Sequence, residues 1–209
     1  RQGLGDMYRR WADQAADSPV LVDTNSARAR RYDAARTAYR TFLDEHPSHD
    51  ASPEVRTALG TLQLDVYRDL PAAASTFQTV IEQSPESASA QAAEFHQGRI
   101  ALLRDSFDQA RRRFTRLAET HQNTDRGHQA QFELARLEYY QGAFDTALSH
   151  TQTITANPST DVANDAIDLT VLIQENRGPD SLDTPLRLYA RAQLAERKRA
   201  YDTATARLD

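Results

Sequence analysis

The chain has 209 residues, with 30 acidic against 25 basic side chains for a formal charge of -5, and no cysteine. Without thiols, disulfides and thiolate metal sites are excluded. Without a basic block there is no charged face for non-specific nucleic-acid binding, and no stretch approaches the ~20 apolar residues that span a bilayer as a helix. The basic residues are almost all arginine, Lys198 being the only lysine, and arginine suits planar, bidentate contacts with carboxylates.

In chain order, Gly3 to Ala16 carries Leu4, Met7, Trp11 and Ala15 at the three-and-four spacing of an amphipathic helix. Asp17-Ser18-Pro19 ends it, and Val20-Leu21-Val22 is expected to cover the end of a stack. Ser26 to Glu45 reads as one helix with Ala35, Tyr39 and Phe42 on a face. Ser52 with Pro53 reads as a cap and first turn, opening a helix with Val55, Leu59, Leu62 and Leu64. Pro71 opens its partner, which carries Ala74, Phe77, Val80 and Ile81.

Ser89 to Leu103 and Phe107 to Glu119 are expected as the next two helices, joined by Arg104-Asp105-Ser106. Gly127 to Tyr140 and Ala143 to Thr155 follow, reversing at Gln141-Gly142, where glycine accepts positive φ without steric cost. After Pro158 the pattern slips. Asp161 to Glu175 and Leu182 or Pro185 to Arg197 are helical patterns either side of Asn176-Arg177-Gly178-Pro179-Asp180. The first of them is either an inserted element or half of a divergent pair with the second. Tyr201, Ala204 and Leu208 restart the pattern, and the ends at Arg1 and Asp209 read as those of a fragment cut from a longer protein.

These elements share a period. Ala35, Ala73, Ala110 and Ala147 recur every 37 or 38 residues, each with a large apolar residue three before (Tyr32, Leu70, Phe107, Phe144) and seven after (Phe42, Val80, Leu117, Ile154). That interval accommodates two helices and their turns. Gly60, Gly98, Ala135 and Ala192 supply the small residue of the first helices, letting backbones approach while a neighbouring ring fills the groove. Thr151 departs from the pattern, standing where Tyr39, Phe77 and Phe114 stand in the preceding units. The expected class is an all-α solenoid of stacked helical pairs, in which each pair touches mainly its neighbours.

The residues resemble the tetratricopeptide repeat family in Gln97-Gly98-Arg99 with Phe107-Asp108-Gln109-Ala110 and Phe114. The same holds for Leu134-Ala135 with Tyr140-Gln141-Gly142-Ala143-Phe144-Asp145-Thr146-Ala147, Tyr32-Asp33-Ala34-Ala35 with Tyr39 and Pro47, and Tyr201-Asp202-Thr203-Ala204. The family period is 34 residues, and the longer interval here is similar to the repeats of bacterial cell-envelope proteins. The resemblance implies a right-handed α-α superhelix of helical hairpins, one repeat domain over 1–209. Within it, 1–25 is an N-terminal helix and cover, 26–158 regular units, 159–185 an irregular helix and loop, and 186–209 a truncated last unit. It also implies a periplasmic or envelope location in preference to the cytoplasm.

The family's inner groove, carried onto the first helices, selects Thr57 and Thr61, then Phe95, His96, Arg99 and Leu103. It continues with Phe132, Glu133, Arg136, Tyr139 and Tyr140, and with Tyr189, Gln193 and Glu196. Arg99 and Arg136 stand at equivalent places in adjacent units, where the pair can grip a partner's acidic side chain or C-terminal carboxylate. Plainer accounts stand beside these. Phe95 and Phe132 read as core packing against the next repeat ahead of ligand anchors, and the arginines as solvated or paired with acids on their own helices. Tyr139 and Tyr140, being adjacent, imply one ring turned outward.

Six scattered histidines form no catalytic or metal set, and no glycine loop cradles a phosphate. The expected function is a non-enzymatic scaffold that binds a protein or peptide segment, without cofactor or metal. The alternatives are a structural or self-association module, and the non-catalytic arm of a larger enzyme.

Overall fold

The computed structural model describes residues 24–156, 162–177 and 183–198. The expected helix at Gly3 to Ala16, the strip at Val20 to Val22 and the restart at Tyr201 and Ala204 lie outside them. The regular secondary structure of the described residues is helical throughout: α1 Thr24–Glu45, α2 Ser52–Asp65, α3 Leu70–Gln83, α4 Ala88–Leu103, α5 Phe107–Thr120, α6 Asp125–Gln141, α7 Phe144–Thr155, α8 Ala163–Asn176 and α9 Thr184–Arg197. The all-α class and the helical pairs of the periodicity are thus observed. The chain forms two compact units, Arg1–Gln97 and Gly98–Asp209, divided within α4.

In the first unit α1 packs on α2 and α2 on α3. Tyr32, Ala35, Tyr39 and Phe42 of α1 share a core with Val55, Leu59 and Leu62 of α2. Leu43 packs partly against the same core, and the rest of α1 is polar or alanine, so its helical spacing buries one stripe. The cap of α2 differs from expectation. Ala51 holds the N-cap position, and the buried Ser52 hydroxyl donates instead to the His46 carbonyl at 2.6 Å, tying the helix to the preceding turn. Asp69 caps α3 by accepting from the Ala72 N–H at 3.0 Å. Tyr67 donates to Asp33 at 2.7 Å and lies under the Arg36 guanidinium; burial and then the Asp33 bond push its phenol up to about 12.

Small residues set how closely the pairs pack. A Cβ added at Gly60 would lie 2.7 Å from the Phe77 ring of α3, and one at Gly98 would lie 2.6 Å from the Phe114 ring of α5. Both phenylalanines are wholly buried, so neither ring has room to move away. The third pair uses a different combination at the same register. Ala135 carries the Cβ that the glycines lack, and Thr151 replaces the ring. Thr151 is completely buried yet satisfied, donating to the Leu148 carbonyl at 2.9 Å and accepting from Thr170 of α8 at 2.7 Å.

The turns repeat as well. Arg68, Asp105 and Gly142, at intervals of 37 residues, are left-handed with φ of 55°, 58° and 76°. In each case the second helix begins two residues later. The following N–H closes the turn onto the first helix, Ser106 to the Ala101 carbonyl and Ala143 to the Glu138 carbonyl, both at 2.9 Å. Only Gly142 announced itself in the sequence, because the other two positions carry side chains.

In the second unit α5 packs on α6, α6 on α7 and α7 on α8, while α9 rests mainly on α6 and only lightly on α8. That resolves the ambiguity after Pro158: α8 extends the stack, and α9 turns back. A Cβ on Gly142, at the end of α6, would meet the Arg187 guanidinium, and Arg197 bonds Glu133 nearer the start of α6. The two anchors run in opposite senses along the chains, so α9 lies antiparallel to α6.

Gly98→Ala should overpack the α4–α5 seam and cost about 1–3 kcal/mol by chemical denaturation. Adding Phe114→Leu should recover part of that loss, a coupling measurable as a double-mutant cycle; strictly additive effects would contradict the close approach.

Candidate functional site

The candidate site is a cleft of about 570 Å³ in the second unit, lined by Phe132, Arg136, Tyr139 and Tyr140 of α6, Asp165, Asp168, Leu169 and Leu172 of α8, and Gln193, Glu196 and Arg197 of α9. Its wall on α6 follows from helical spacing, since positions 132, 136, 139 and 140 share one face. Its α8 wall is placed by the packing of α8 on α7, and its α9 wall by α9 folding back over that face of α6.

Behind the wall lies a buried charge cluster. Glu133 is 6% exposed, and its Oε1 accepts from Arg197 at 2.8 Å and lies 3.8 Å from Arg136. Burial alone would raise the Glu133 carboxyl. The opposing fields of Arg197, Arg136 and Arg99, with the Arg197 bond, hold it below the ordinary carboxylate range. Burial likewise works against the charged Arg197, but Glu133 outweighs it and raises the guanidinium further. Arg136 also donates from Nη2 to the Tyr140 hydroxyl at 2.9 Å and lies beside the Phe132 and Tyr140 rings.

Six residues of the expected groove line the cleft: Phe132, Arg136, Tyr139, Tyr140, Gln193 and Glu196. Glu133 stands behind it, and Tyr189 is exposed on α9. The expectation that one of the adjacent tyrosines turns outward is corrected. Tyr139 and Tyr140 are 1% and 6% exposed, because α7 covers one flank of α6 and α9 the other. Tyr139 lies near the rings of Tyr140 and Phe144, and burial raises its phenol. Its hydroxyl has no hydrogen-bond partner.

The remaining expected residues lie elsewhere. Phe95 is buried against the edge of the His96 ring, and His96 stacks on Phe77 with centroids 4.8 Å apart, so both serve packing within the first unit. Arg99 is half-buried, and its charge acts on Glu133. Arg136 is paired with an acid of its own helix, the plainer of its two accounts.

Sequence reasoning missed Arg197, Asp165, Asp168, Leu169 and Leu172, all contributed by the stretch where the period slips. One signal was available. Glu133 occupies the register of Ala58 and His96, two residues before the small residue of each first helix, and an acid on a packed face requires a cation. Among the described residues no group of three or more His, Cys, Asp or Glu is arranged to hold a metal ion, and no helix is long and apolar enough to cross a membrane. The sequence matches no protein-family model and no curated protein.

Glu133 has a lower pKa folded than unfolded, so its contribution to stability is complete above the ordinary glutamate range and is lost as pH falls through the depressed value. Glu133→Gln, which leaves Arg197 buried without a counter-charge, should cost about 3–5 kcal/mol near neutrality. Thermal unfolding measured from neutral to acid pH should show a shallower acid limb in this variant than in the parent; parallel limbs would contradict the assignment.

Proposed function

We propose that the chain is a tetratricopeptide-like repeat scaffold, built as a right-handed superhelix, that binds a segment of another protein and catalyses no reaction. The observation that carries this reading is the cleft itself. Aromatic side chains of α6, leucines of α8 and polar side chains of α9 form its walls, and the Glu133–Arg197–Arg136 cluster fixes α6 and α9 relative to each other. A preformed site of this kind leaves the ordering cost of binding mostly to the partner. The 37- and 38-residue intervals support the resemblance to the long-period repeats of the bacterial envelope, the compartment we assign to the protein.

A second reading, a self-association module, has its own support. Among the described residues the large exposed hydrophobics are Ile167, Val171, Leu188 and Tyr189, all on the last two helices. Ile167 and Val171 stand one turn apart on α8, where a further packed element would cover them.

Affinity capture with the parent chain and with Leu172→Trp, which fills the cleft from a half-buried position, tests the first reading. A defined set of proteins should be retained by the parent and lost by the variant at unchanged circular dichroism; equal retention would remove the cleft from the account. Sedimentation over roughly a hundredfold dilution tests the second. Mass that falls on dilution, and that Ile167→Glu with Val171→Glu reduces to a monomer, would put self-association in its place.

A further inference from the structure

We propose that the cleft of the second unit receives a basic side chain, arginine in preference to lysine, from a bound polypeptide; this rests on the reading of the cleft as a protein-binding site. The argument begins with which charges are already answered. Two guanidiniums line the cleft, and both are directed to Glu133 behind the wall, with Arg136 also donating to Tyr140. Three carboxylates line it too, Asp165, Asp168 and Glu196. No hydrogen bond or ion pair engages these three side chains among the described residues.

All three are exposed at the mouth of the cleft, and their placement leaves like charges unopposed. Asp165 and Asp168 are three apart on α8, where like charges repel. Asp165 is compensated by its position in the first turn of that helix. Asp168 lies beyond that turn. Glu196 sits in the last turn of α9, where the helix dipole disfavours a carboxylate. A cation in the cleft relieves both repulsions at once.

The cleft also supplies what a long basic side chain needs besides charge. Leu169 and Leu172 offer an apolar surface for its methylene stem, and the carboxylates on α8 and α9 meet its head. A planar guanidinium, with five donors, engages two carboxylates at fixed geometry better than an ammonium does. The unpartnered hydroxyl of Tyr139, itself 1% exposed and part of the same lining, is a further polar group without an internal partner. Beside the cleft, Tyr189 is exposed and close enough to act on the Tyr139 phenol, giving the flanking residues of a bound segment an aromatic surface to rest on. The chemistry selected is therefore that of a basic segment. It is the opposite of the acidic or C-terminal carboxylate partner that a pair of free arginines would grip.

The test is selection of a random phage-displayed peptide library on the full chain, followed by affinity measurement of one enriched synthetic peptide on the parent, on Leu172→Trp and on Asp168→Asn with Glu196→Gln. The expected result is enrichment of arginine-containing peptides that Leu172→Trp excludes. The double variant should bind the peptide at least about tenfold more weakly, with the parent's binding also falling as salt rises, while retaining the parental melting temperature or exceeding it. Acidic or uncharged peptides that Leu172→Trp still excludes would keep the cleft as a binding site and overturn the basic specificity. Basic peptides unaffected by the double variant would also overturn it. If no peptide is enriched, the protein-binding reading falls together with this one.

Discussion

Backbone approach at a glycine, sealed by a buried ring, is the constraint on which the helical pairs depend. Gly60 against Phe77 and Gly98 against Phe114 leave no space for even one added carbon, so the two helices of each pair have one workable separation and one register. A packed interior transmits such a constraint, because it has no voids in which to absorb a mismatch. The Ala135 and Thr151 combination keeps the register by redistributing volume, a larger residue on one helix and a smaller one on the other. It also turns an apolar plug into a hydrogen-bonding one, and Thr170 of α8 bonds directly to it. The substitution that looked like a lapse in the repeat is where the stack gains its next helix.

Much of this is legible in the sequence alone, for a physical reason. Residues that repeat at a fixed interval report on local packing, and local packing is what helical spacing and residue size encode. The apolar faces of α1 to α7, the small residues and the reversal at Gly142 all belong to that category. The cleft was half legible. Its α6 wall followed from the same spacing, while its α9 wall depended on a contact between Glu133 and Arg197, 64 residues apart, and its α8 wall on packing beyond the point where the period slips, which no local pattern reports. The burial of both tyrosines had the same origin. One helix considered alone has an outer face, and only the return of α9 removes it.

The return of α9 also changes what the arginines do. Two equivalent guanidiniums on successive first helices resemble a clamp for a carboxylate when the helices are considered alone. With Glu133 behind the wall, Arg136 and Arg197 hold the fold together, and the carboxylates become the groups without partners. The sign of the site is set by which charges the protein has already neutralised, and not by the charges a single helix displays.

The turns have a consequence of another kind. From each left-handed residue to the start of the second helix the distance is constant, whereas the first helix ends after Asp65, Leu103 or Gln141, leaving connections of four, three and two residues. All the slack in a pair therefore lies upstream of the left-handed residue, and none downstream. Each stretch from Arg68, Asp105 or Gly142 through its second helix is in effect a cassette with a standard leading joint. Cassettes of that kind can be exchanged between pairs, or lengthened ahead of the joint, while the second helix keeps its phase.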